Sequence, residues 1–341
     1  MSVPLPGRRS GFDIVFCATS KSGLGHVRRL TNIAQELHRL RPGIGIALFT
    51  NGGAAALSED EKALYRIMER LPRQEMAHRL RTVPHRCCVV DTAILPGLHR
   101  IGSRLCLILR ETRPEMLDCF RLEEGRLWDL VLLPNPEDEW FPGPTLVGAH
   151  RMTAVGWIFR RPVMGTEILP FSAGTEEAVV LIATGGGGTG ETQANLARNL
   201  ERLLTDLRQA AVPMTVVQAL GPRASPLSSA GIDRVIRPGA SLNRWFQRSD
   251  LVVSTVGYNS VLELALCDTP ALLMPIPRTF DDQTARARRW GPRLGWCYEP
   301  SRHREIVADM KTTLSLRRRR PPVRLPPSGA ARAAEAILNL L

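Results

Sequence analysis

Residues 249–266 read SDLVVSTVGYNSVLELAL, in which an apolar strand passes through a short polar loop into a helix that begins near Asn259 or Ser260. The amino end of such a helix presents free backbone N–H groups and the positive end of the helix dipole, which suit a diphosphate. Glu263 follows within the helix, where its carboxylate can accept hydrogen bonds from both hydroxyls of a ribose. A purely structural interpretation is equally open, in which Asn259 or Ser260 caps the helix and Glu263 completes a capping box.

The same order of strand, loop and helix begins each half of the chain. The second half starts with the strand 178–183, a glycine-rich loop (184–190) and a helix (191–209), and the first half has the strand 12–19 and the helix 27–40. This order is the unit of a parallel sheet, and ligands bind such sheets at the carboxyl ends of the strands. The sequence therefore predicts an α/β protein with two doubly wound Rossmann-like domains facing a cleft.

Chain length and composition suggest where these domains begin and end. The 341 residues suffice for two domains of about 150 residues each. The charged stretch 54–82 has a helical pattern. A stretch with prolines, glycines and little periodicity is typical of a linker. The predicted organisation is a first domain (1–160), a linker (161–176), a second domain (177–328) and a C-terminal helix (329–341).

The net charge of +12 comes almost entirely from arginine, because the chain contains only three lysines, at positions 21, 62 and 311. The arginines are scattered along the predicted helices, and aromatic residues make up only 5% of the chain. A nucleic-acid-binding surface would concentrate arginine on one element and interleave aromatics. We therefore predict no nucleic-acid partner and interpret the composition as that of a G+C-rich bacterial genome. The positive field would still attract a phosphorylated donor or an anionic acceptor.

The seven cysteines indicate a reducing compartment. Their number is odd, none forms a Cys-x-x-Cys motif, and several lie within apolar runs, so disulfides and a zinc site are not expected. The sequence has no signal-peptide pattern and no stretch of 18 apolar residues. These features predict a cytoplasmic protein.

A second polar segment follows the strand that ends in Met274-Pro275-Ile276-Pro277. There Asp282 and Gln283 place a carboxylate and an amide side by side at the start of a helix, where together they can hold several hydroxyls of a pyranose. The alternative is again a helix cap, with Asp281 or Asp282 charging the first turn.

These segments together resemble the nucleotide-sugar half of the MurG-type glycosyltransferases (family 28), which have the GT-B fold. In that family, a strand like SDLVVS is followed by a Gly-x-x-[Ser/Thr]-x-x-Glu loop and helix. A proline-rich strand end then leads to His, Asp or Glu beside Gln. The resemblance covers residues 178–300. The matching residues here are Gly257, Ser260, Glu263, Asp282 and Gln283.

The resemblance implies a role for each of these positions. Glu263 would hold the ribose, and Asp282 and Gln283 would recognise the donor sugar. Gly239, in the turn 238–240, would meet the nucleobase through its backbone. The diphosphate would be bound by Gly257, Tyr258, Asn259 and Ser260. The loop that would approach the phosphates from the other side of the cleft contains Gly186, Gly187, Gly188 and Thr189.

In the first half, Gly23-Leu24-Gly25-His26 resembles the family's Gly-x-Gly-Gly-His loop, with leucine where one glycine is usual. His26 would stand at a helix amino terminus, which favours the neutral imidazole that can accept a proton near pH 7. We predict that His26 is the general base for the acceptor hydroxyl, or else positions the acceptor. A histidine that only caps the helix, without a catalytic role, is the structural alternative. The other candidates on the acceptor side are Gly25, Asp91, Glu111 and Glu137.

The predicted activity is inverting transfer of a hexose or N-acetylhexosamine from a nucleotide diphosphate sugar, with UDP favoured, to a hydroxyl acceptor. There is no clear Asp-x-Asp motif, so we predict no metal site and no cofactor apart from the donor itself. A lipid-linked acceptor, with peripheral contact at the inner membrane face, is a variant of this prediction. The alternatives are a nucleotide-sugar hydrolase or epimerase of the same fold and a non-catalytic nucleotide-sugar-binding protein. Neither the acceptor nor the oligomeric state is indicated by the sequence.

Overall fold

The computed structural model describes residues 11–19, 25–52, 57–160, 177–185, 190–209, 212–221, 226, 231–238 and 242–341. The chain divides into two compact units. The first consists of Met1–Ile158 together with Ser328–Leu341, and the second of Phe159–Pro327. No helix in the described part of the chain is both long and apolar enough to cross a membrane.

The first unit contains a seven-stranded sheet in which every neighbouring pair is parallel. Its central strands are continuous apolar runs because helices cover both faces of a parallel sheet. The strands lie in the order β3-β2-β1-β4-β5-β6-β7. They are β1 (Phe12–Ala18), β2 (Ile46–Thr50), β3 (Ile67–Arg70), β4 (His85–Asp91), β5 (Arg104–Ile108), β6 (Leu130–Leu133) and β7 (Met152–Ala154).

The second unit repeats this design with a six-stranded sheet, again parallel throughout. The strands lie in the order β10-β9-β8-β11-β12-β13. They are β8 (Ala178–Ala183), β9 (Met214–Ala219), β10 (Arg234–Ile236), β11 (Leu251–Thr255), β12 (Ala271–Met274) and β13 (Gly295–Cys297).

Ten α-helices connect or flank these strands in the described part of the chain. Four of them belong to the first unit before residue 158, five to the second unit, and the last one to the C-terminal segment. They are α1 (Gly25–Leu40), α2 (Glu59–Lys62), α3 (Arg73–Thr82), α4 (Pro144–Val147), α5 (Gly190–Arg208), α6 (Asn243–Gln247), α7 (Tyr258–Ala265), α8 (Gln283–Leu294), α9 (His303–Ser315) and α10 (Ala330–Leu338).

The helical prediction for residues 54–82 is wrong in its middle. That stretch forms the short helix α2, the strand β3 and the helix α3. β3 is an edge strand whose side chains are at least partly exposed, so it lacks the apolar run that marks a central strand. Pairing with β2 makes this segment a strand, and that pairing is a tertiary contact.

The C-terminal helix α10 returns to the first unit and packs on α1. Leu30, Ile33 and Leu37 of α1 share a buried apolar cluster with Ala333 and Ile337 of α10. The apolar stripe of α1 that the sequence predicts is therefore covered on one side by the sheet and on the other by a helix from the far end of the chain.

Each sheet has a point at which the direction of strand addition reverses. In the first sheet this point lies between β1 and β4, where Ala18 pairs with Asp91. In the second sheet it lies between β8 and β11, where Ala183 pairs with Ser254. Loops that leave neighbouring strands on opposite sides open a crevice at the carboxyl ends, and ligands of doubly wound proteins bind there. Along the chain, the predicted site residues follow these four strands or other strands of the same two sheets.

Candidate functional site

His26 lies at the reversal point of the first sheet. It occupies the first turn of α1, and its Nδ1 is 3.3 Å from Oδ1 of Asp91. Asp91 is the last residue of β4 and is completely buried, whereas the His26 side chain keeps 17% of its surface exposed. The contact has the distance of an ion pair but not the alignment of a hydrogen bond. Long or poorly aligned contacts are common between catalytic groups in ligand-free enzymes.

Asp91 is also held by Arg29, one helical turn beyond His26. Arg29 Nη1 donates to Asp91 Oδ1 over 2.6 Å, and the Thr92 hydroxyl lies 3.0 Å from the same oxygen. Burial alone would raise the pKa of Asp91, but the charges of Arg29 and His26 and the Thr92 hydroxyl outweigh it and keep this pKa below its usual value. These interactions favour an ionised Asp91 carboxylate although its side chain is fully buried.

The backbone after Asp91 is strained. Thr92 has φ +43°, a left-handed conformation that β-branched residues rarely adopt. Its amide donates to the carbonyl of Ile108 over 2.7 Å, and its hydroxyl lies 2.9 Å from that carbonyl. Strain of this kind costs on the order of 1–3 kcal/mol and is concentrated at functional sites.

The remaining acceptor-side candidates lie along the same edge of the sheet. Gly25 is the first residue of α1 and directly precedes His26. Glu111 follows β5 and is buried, and its backbone N–H donates to Asn135 Oδ1 over 3.4 Å. Glu137 follows β6 and is exposed. Of these candidates, Asp91 is the one whose side chain the structure brings against His26.

In the second unit, the helix predicted to bind the diphosphate begins one residue earlier than expected. α7 starts at Tyr258, and its N-cap is Gly257. The capping interpretation of Asn259 or Ser260 is therefore wrong, because both lie inside the first turn. Glu263 is the sixth residue of the helix, too far along it to complete a capping box. A glycine cap has no side chain that could accept the first N–H groups, which suits their use by an anion.

Glu263 lies beside Leu242 and Asn243 at the start of α6. Its side chain is half-buried, and Oε2 accepts the backbone N–H of Leu242 over 3.3 Å. Leu242 precedes α6 and follows residues 239–241, which lie outside the described residues. Asn243 in α6 donates from Nδ2 to the carbonyl of Glu263 over 3.1 Å and so ties α6 to α7. Glu263 is thus fixed against the start of α6.

Asp282 and Gln283 are both engaged by the protein itself. The Asp282 side chain accepts the N–H of Ala285 over 2.9 Å and caps α8, as the structural alternative proposed. Gln283 is buried, and its Oε1 accepts the N–H of Ile276 over 3.2 Å. A role for these two residues in recognising the donor sugar remains a prediction.

Sequence reasoning missed a buried ion pair beneath this loop. Arg286 Nη2 is 2.7 Å from Asp281 Oδ1, and Arg286 Nη1 donates to the carbonyl of Val256 over 2.9 Å. Arg286 is 2% exposed and Asp281 is 4% exposed. The guanidinium therefore joins the start of α8 to the residue before Gly257. An arginine on the apolar face of the α8 pattern was the available signal.

Other predicted donor residues, Gly186, Gly187, Gly188, Thr189 and Gly239, lie outside the described residues. The residue before that loop, Gly185, has φ +68°, which favours glycine. The Thr255 hydroxyl donates to the carbonyl of Thr184 over 3.0 Å and joins the ends of β11 and β8. Within the described part of the chain, no three His, Cys, Asp or Glu side chains form a group that could hold a metal ion.

The sequence matches no protein-family model and no curated protein sequence. Solved structures match along nearly its whole length. The glycotransferase of kitacinnamycin is 16% identical, with 98% of this chain and 100% of that chain covered and a TM-score of 0.58. MurG of Acinetobacter baumannii is 14% identical, with 96% and 99% covered and a TM-score of 0.56. Spinosyn rhamnosyltransferase SpnG, in complex with thymidine diphosphate, is 16% identical, with 96% of each chain covered and a TM-score of 0.54.

These similarities concern the fold, since the identities are low. They agree with the two parallel sheets of the described residues, and they confirm the predicted α/β class with two Rossmann-like domains. The chain has the GT-B fold of MurG and related glycosyltransferases.

Proposed function

We propose that this protein is an inverting glycosyltransferase that moves a hexose or an N-acetylhexosamine from a nucleoside diphosphate sugar to a hydroxyl acceptor. UDP is the nucleotide that the MurG-type resemblance favours. The thymidine diphosphate bound to spinosyn rhamnosyltransferase SpnG makes dTDP the second candidate. The acceptor is a small molecule or a lipid-linked molecule, and the reaction needs no metal ion or other cofactor.

The observation that carries this proposal is the contact between His26 and Asp91. Because Nδ1 faces a buried carboxylate, we assign the proton of the neutral imidazole to Nδ1, which leaves Nε2 on the far side of the ring to accept a proton. A histidine that only capped the helix would need no buried carboxylate beside it. The pair also lies at the sheet position where doubly wound proteins bind ligands.

In the proposed reaction, the acceptor oxygen attacks the anomeric carbon while the bond from that carbon to the diphosphate oxygen breaks. The acceptor proton passes to Nε2 of His26, and the electron pair of the broken bond leaves with the nucleoside diphosphate. A single displacement of this kind inverts the anomeric configuration. Asp91 stabilises the imidazolium that forms, as the carboxylate does in a catalytic triad.

The second unit supports the donor half of the reaction. The glycine-capped amino end of α7 offers N–H groups and a positive dipole to the charge that develops on the leaving diphosphate. Glu263, half-buried beside Leu242, is the carboxylate we assign to the ribose hydroxyls.

The test begins with thermal unfolding in UDP-, dTDP- and GDP-sugars. A donor at a hundred times its dissociation constant adds about 2.7 kcal/mol to the free energy of unfolding. Nucleotide release is then measured with candidate acceptors for the wild type, for His26→Ala and for His78→Ala, which removes an exposed histidine on α3 and serves as the control. His26→Ala should lower the turnover about 10²–10⁴-fold. It should leave the donor-induced stabilisation unchanged.

Three outcomes would contradict the proposal. If no nucleotide sugar stabilises the protein, the donor assignment fails. Nucleotide release at full rate without acceptor would indicate a hydrolase or epimerase. A protein that binds donor but turns over no acceptor, and that His26→Ala leaves unchanged in every assay, would be a binding protein.

A further inference from the structure

Two side chains of α1, those of His26 and Arg29, share one oxygen of Asp91. His26 and Arg29 lie three residues apart and therefore on the same face of the helix. Arg29 Nη1 is 2.6 Å from Asp91 Oδ1, and His26 Nδ1 is 3.3 Å from the same atom. The Arg29 side chain is 1% exposed and the Asp91 side chain is fully buried. Among the described residues, Asp91 Oδ2 is buried and has no hydrogen-bond partner. Both α1 side chains therefore contact the carboxylate at Oδ1.

We propose that Arg29 is a positioning residue that sets the protonation of the His26–Asp91 pair, keeping Asp91 ionised and His26 neutral. The catalytic meaning of this role rests on the proposed function, because it concerns the base for the acceptor hydroxyl. The electrostatic role itself concerns the protein without substrate, and it can be tested independently of the proposed function.

Without Arg29, the His26–Asp91 pair would bind its last proton more strongly. A lone carboxylate in an apolar site strongly favours a state that carries a proton nearby. That proton could sit on Asp91, giving a neutral acid beside a neutral imidazole, or on His26, giving an ion pair. Two such groups titrate as a unit, and in either arrangement the pair would hold its last proton to a higher pH. His26 could then act as a base only at that higher pH.

Arg29 removes this tendency because it supplies a permanent positive charge to Asp91. With the guanidinium in place, the state with ionised Asp91 and neutral His26 no longer buries an uncompensated charge. His26 then lies beside the Arg29–Asp91 ion pair, whose net charge is zero. This ion pair attracts a proton to the imidazole less strongly than an unpaired carboxylate would. The neutral imidazole needed to accept the acceptor proton is therefore populated at lower pH.

The groups that act on the Asp91 carboxylate in the described part of the chain are few. They are Arg29 and His26 from α1 and the Thr92 hydroxyl from the segment after β4. The neighbouring Arg28 is directed elsewhere, because its Nη1 lies 2.7 Å from both carboxylate oxygens of Glu61. Arg28 is a matched control: it is also an arginine of α1 in a buried ion pair, and it differs in its partner.

The experiment is a pH titration of His26 by NMR in the free protein, with isotope-labelled histidine and the His26→Gln variant to assign the signal. Arg29→Met should raise the midpoint at which the pair loses its last proton by about one pH unit or more. Arg29→Lys keeps the charge and should stay near the wild type, and Arg28→Met should leave the midpoint unchanged. If Arg29→Met does not fold, Arg29→Gln provides the same loss of charge with a polar side chain.

An unchanged or lowered midpoint in a folded, uncharged Arg29 variant would overturn the proposal, and so would an equal rise in Arg28→Met. The acid limb of the pH profile of kcat/KM for sugar transfer is the second measurement. It should move upward with the NMR midpoint in the uncharged Arg29 variant, whereas a merely structural role would lower the rate at all pH values alike. If the wild type transfers no sugar from any donor, the proposed function fails while the NMR result still decides the role of Arg29.

Discussion

Replacing Gly257 by alanine separates what the fold needs at this position from what a ligand needs. Gly257 has φ −65°, which any residue can adopt, and a Cβ built there would have Ser260 Oγ as its neighbour at 3.6 Å, an ordinary van der Waals distance. The preference of an N-cap for glycine over alanine costs up to about 1 kcal/mol. Alanine also restricts the unfolded chain more than glycine does, which raises the free energy of unfolding by about 0.4–1 kcal/mol. The free energy of unfolding should therefore change by less than about 1 kcal/mol.

Binding should respond differently. A methyl group at the amino end of α7 would push a diphosphate away from the first N–H groups of the helix. One lost hydrogen bond to a charged group is worth about 1.5–3 kcal/mol. The Kd for a nucleoside diphosphate should therefore rise about tenfold to a hundredfold. Isothermal titration calorimetry with UDP and dTDP measures this change, and thermal unfolding of the same samples measures the stability.

Gly295→Ala provides the matched control. Gly295 has φ +142°, and a Cβ there would lie 2.6 Å from the carbonyl oxygen of Ala271. The fold itself requires this glycine, so Gly295→Ala should cost about 2 kcal/mol or more in stability. The protein that remains folded should bind nucleotide as the wild type does. If Gly257→Ala bound nucleotide with unchanged Kd, or lost stability as Gly295→Ala does, the assignment of the α7 terminus to the diphosphate would be refuted.

Two further predictions concern buried charges. Arg286→Met removes the guanidinium that pairs with the buried Asp281 carboxylate and should lower the free energy of unfolding by about 3 kcal/mol. The double variant Asp281→Leu/Arg286→Met should recover most of that loss, as measured by thermal unfolding. Asp91 has a lowered pKa in the folded protein, so its ionisation contributes stability that is complete above its unfolded pKa of about 4 and is lost as the pH falls through the lower folded value. Asp91→Asn should therefore be less stable than the wild type at pH 7, but its free energy of unfolding should fall less as the pH is lowered below 4. Urea unfolding between pH 3 and pH 7 measures both free energies. An equal fall in the free energy of unfolding of the two proteins at acid pH would contradict the prediction.

In the second unit, sequence patterns predicted the strands and helices of the candidate site but not the contacts between them. The pattern around Gly257 and Glu263 placed a strand, a loop and a helix where the structure has them, because each lies within one short segment. Whether a side chain or a glycine caps α7 needed coordinates, since the answer depends on the residue at which the helix begins. The hydrogen bond from the Ile276 backbone N–H to Gln283 Oε1 also needed coordinates, because it joins the segment after a strand to the start of a helix.

Local sequence patterns were enough to predict the two parallel sheets and the strands at whose ends a ligand would bind. Continuous apolar runs followed by glycine-bearing loops and amphipathic helices leave few other arrangements, because both faces of such strands must be covered. Tertiary structure alone decided that β3 is a strand, that α10 covers α1, and that Arg29 and His26 converge on Asp91, which lies 62 residues beyond Arg29. Local patterns indicate which surfaces must be buried, because they involve residues that are close together in the chain. The pairing of buried charges depends on which strands become neighbours, and this involves residues far apart in the chain.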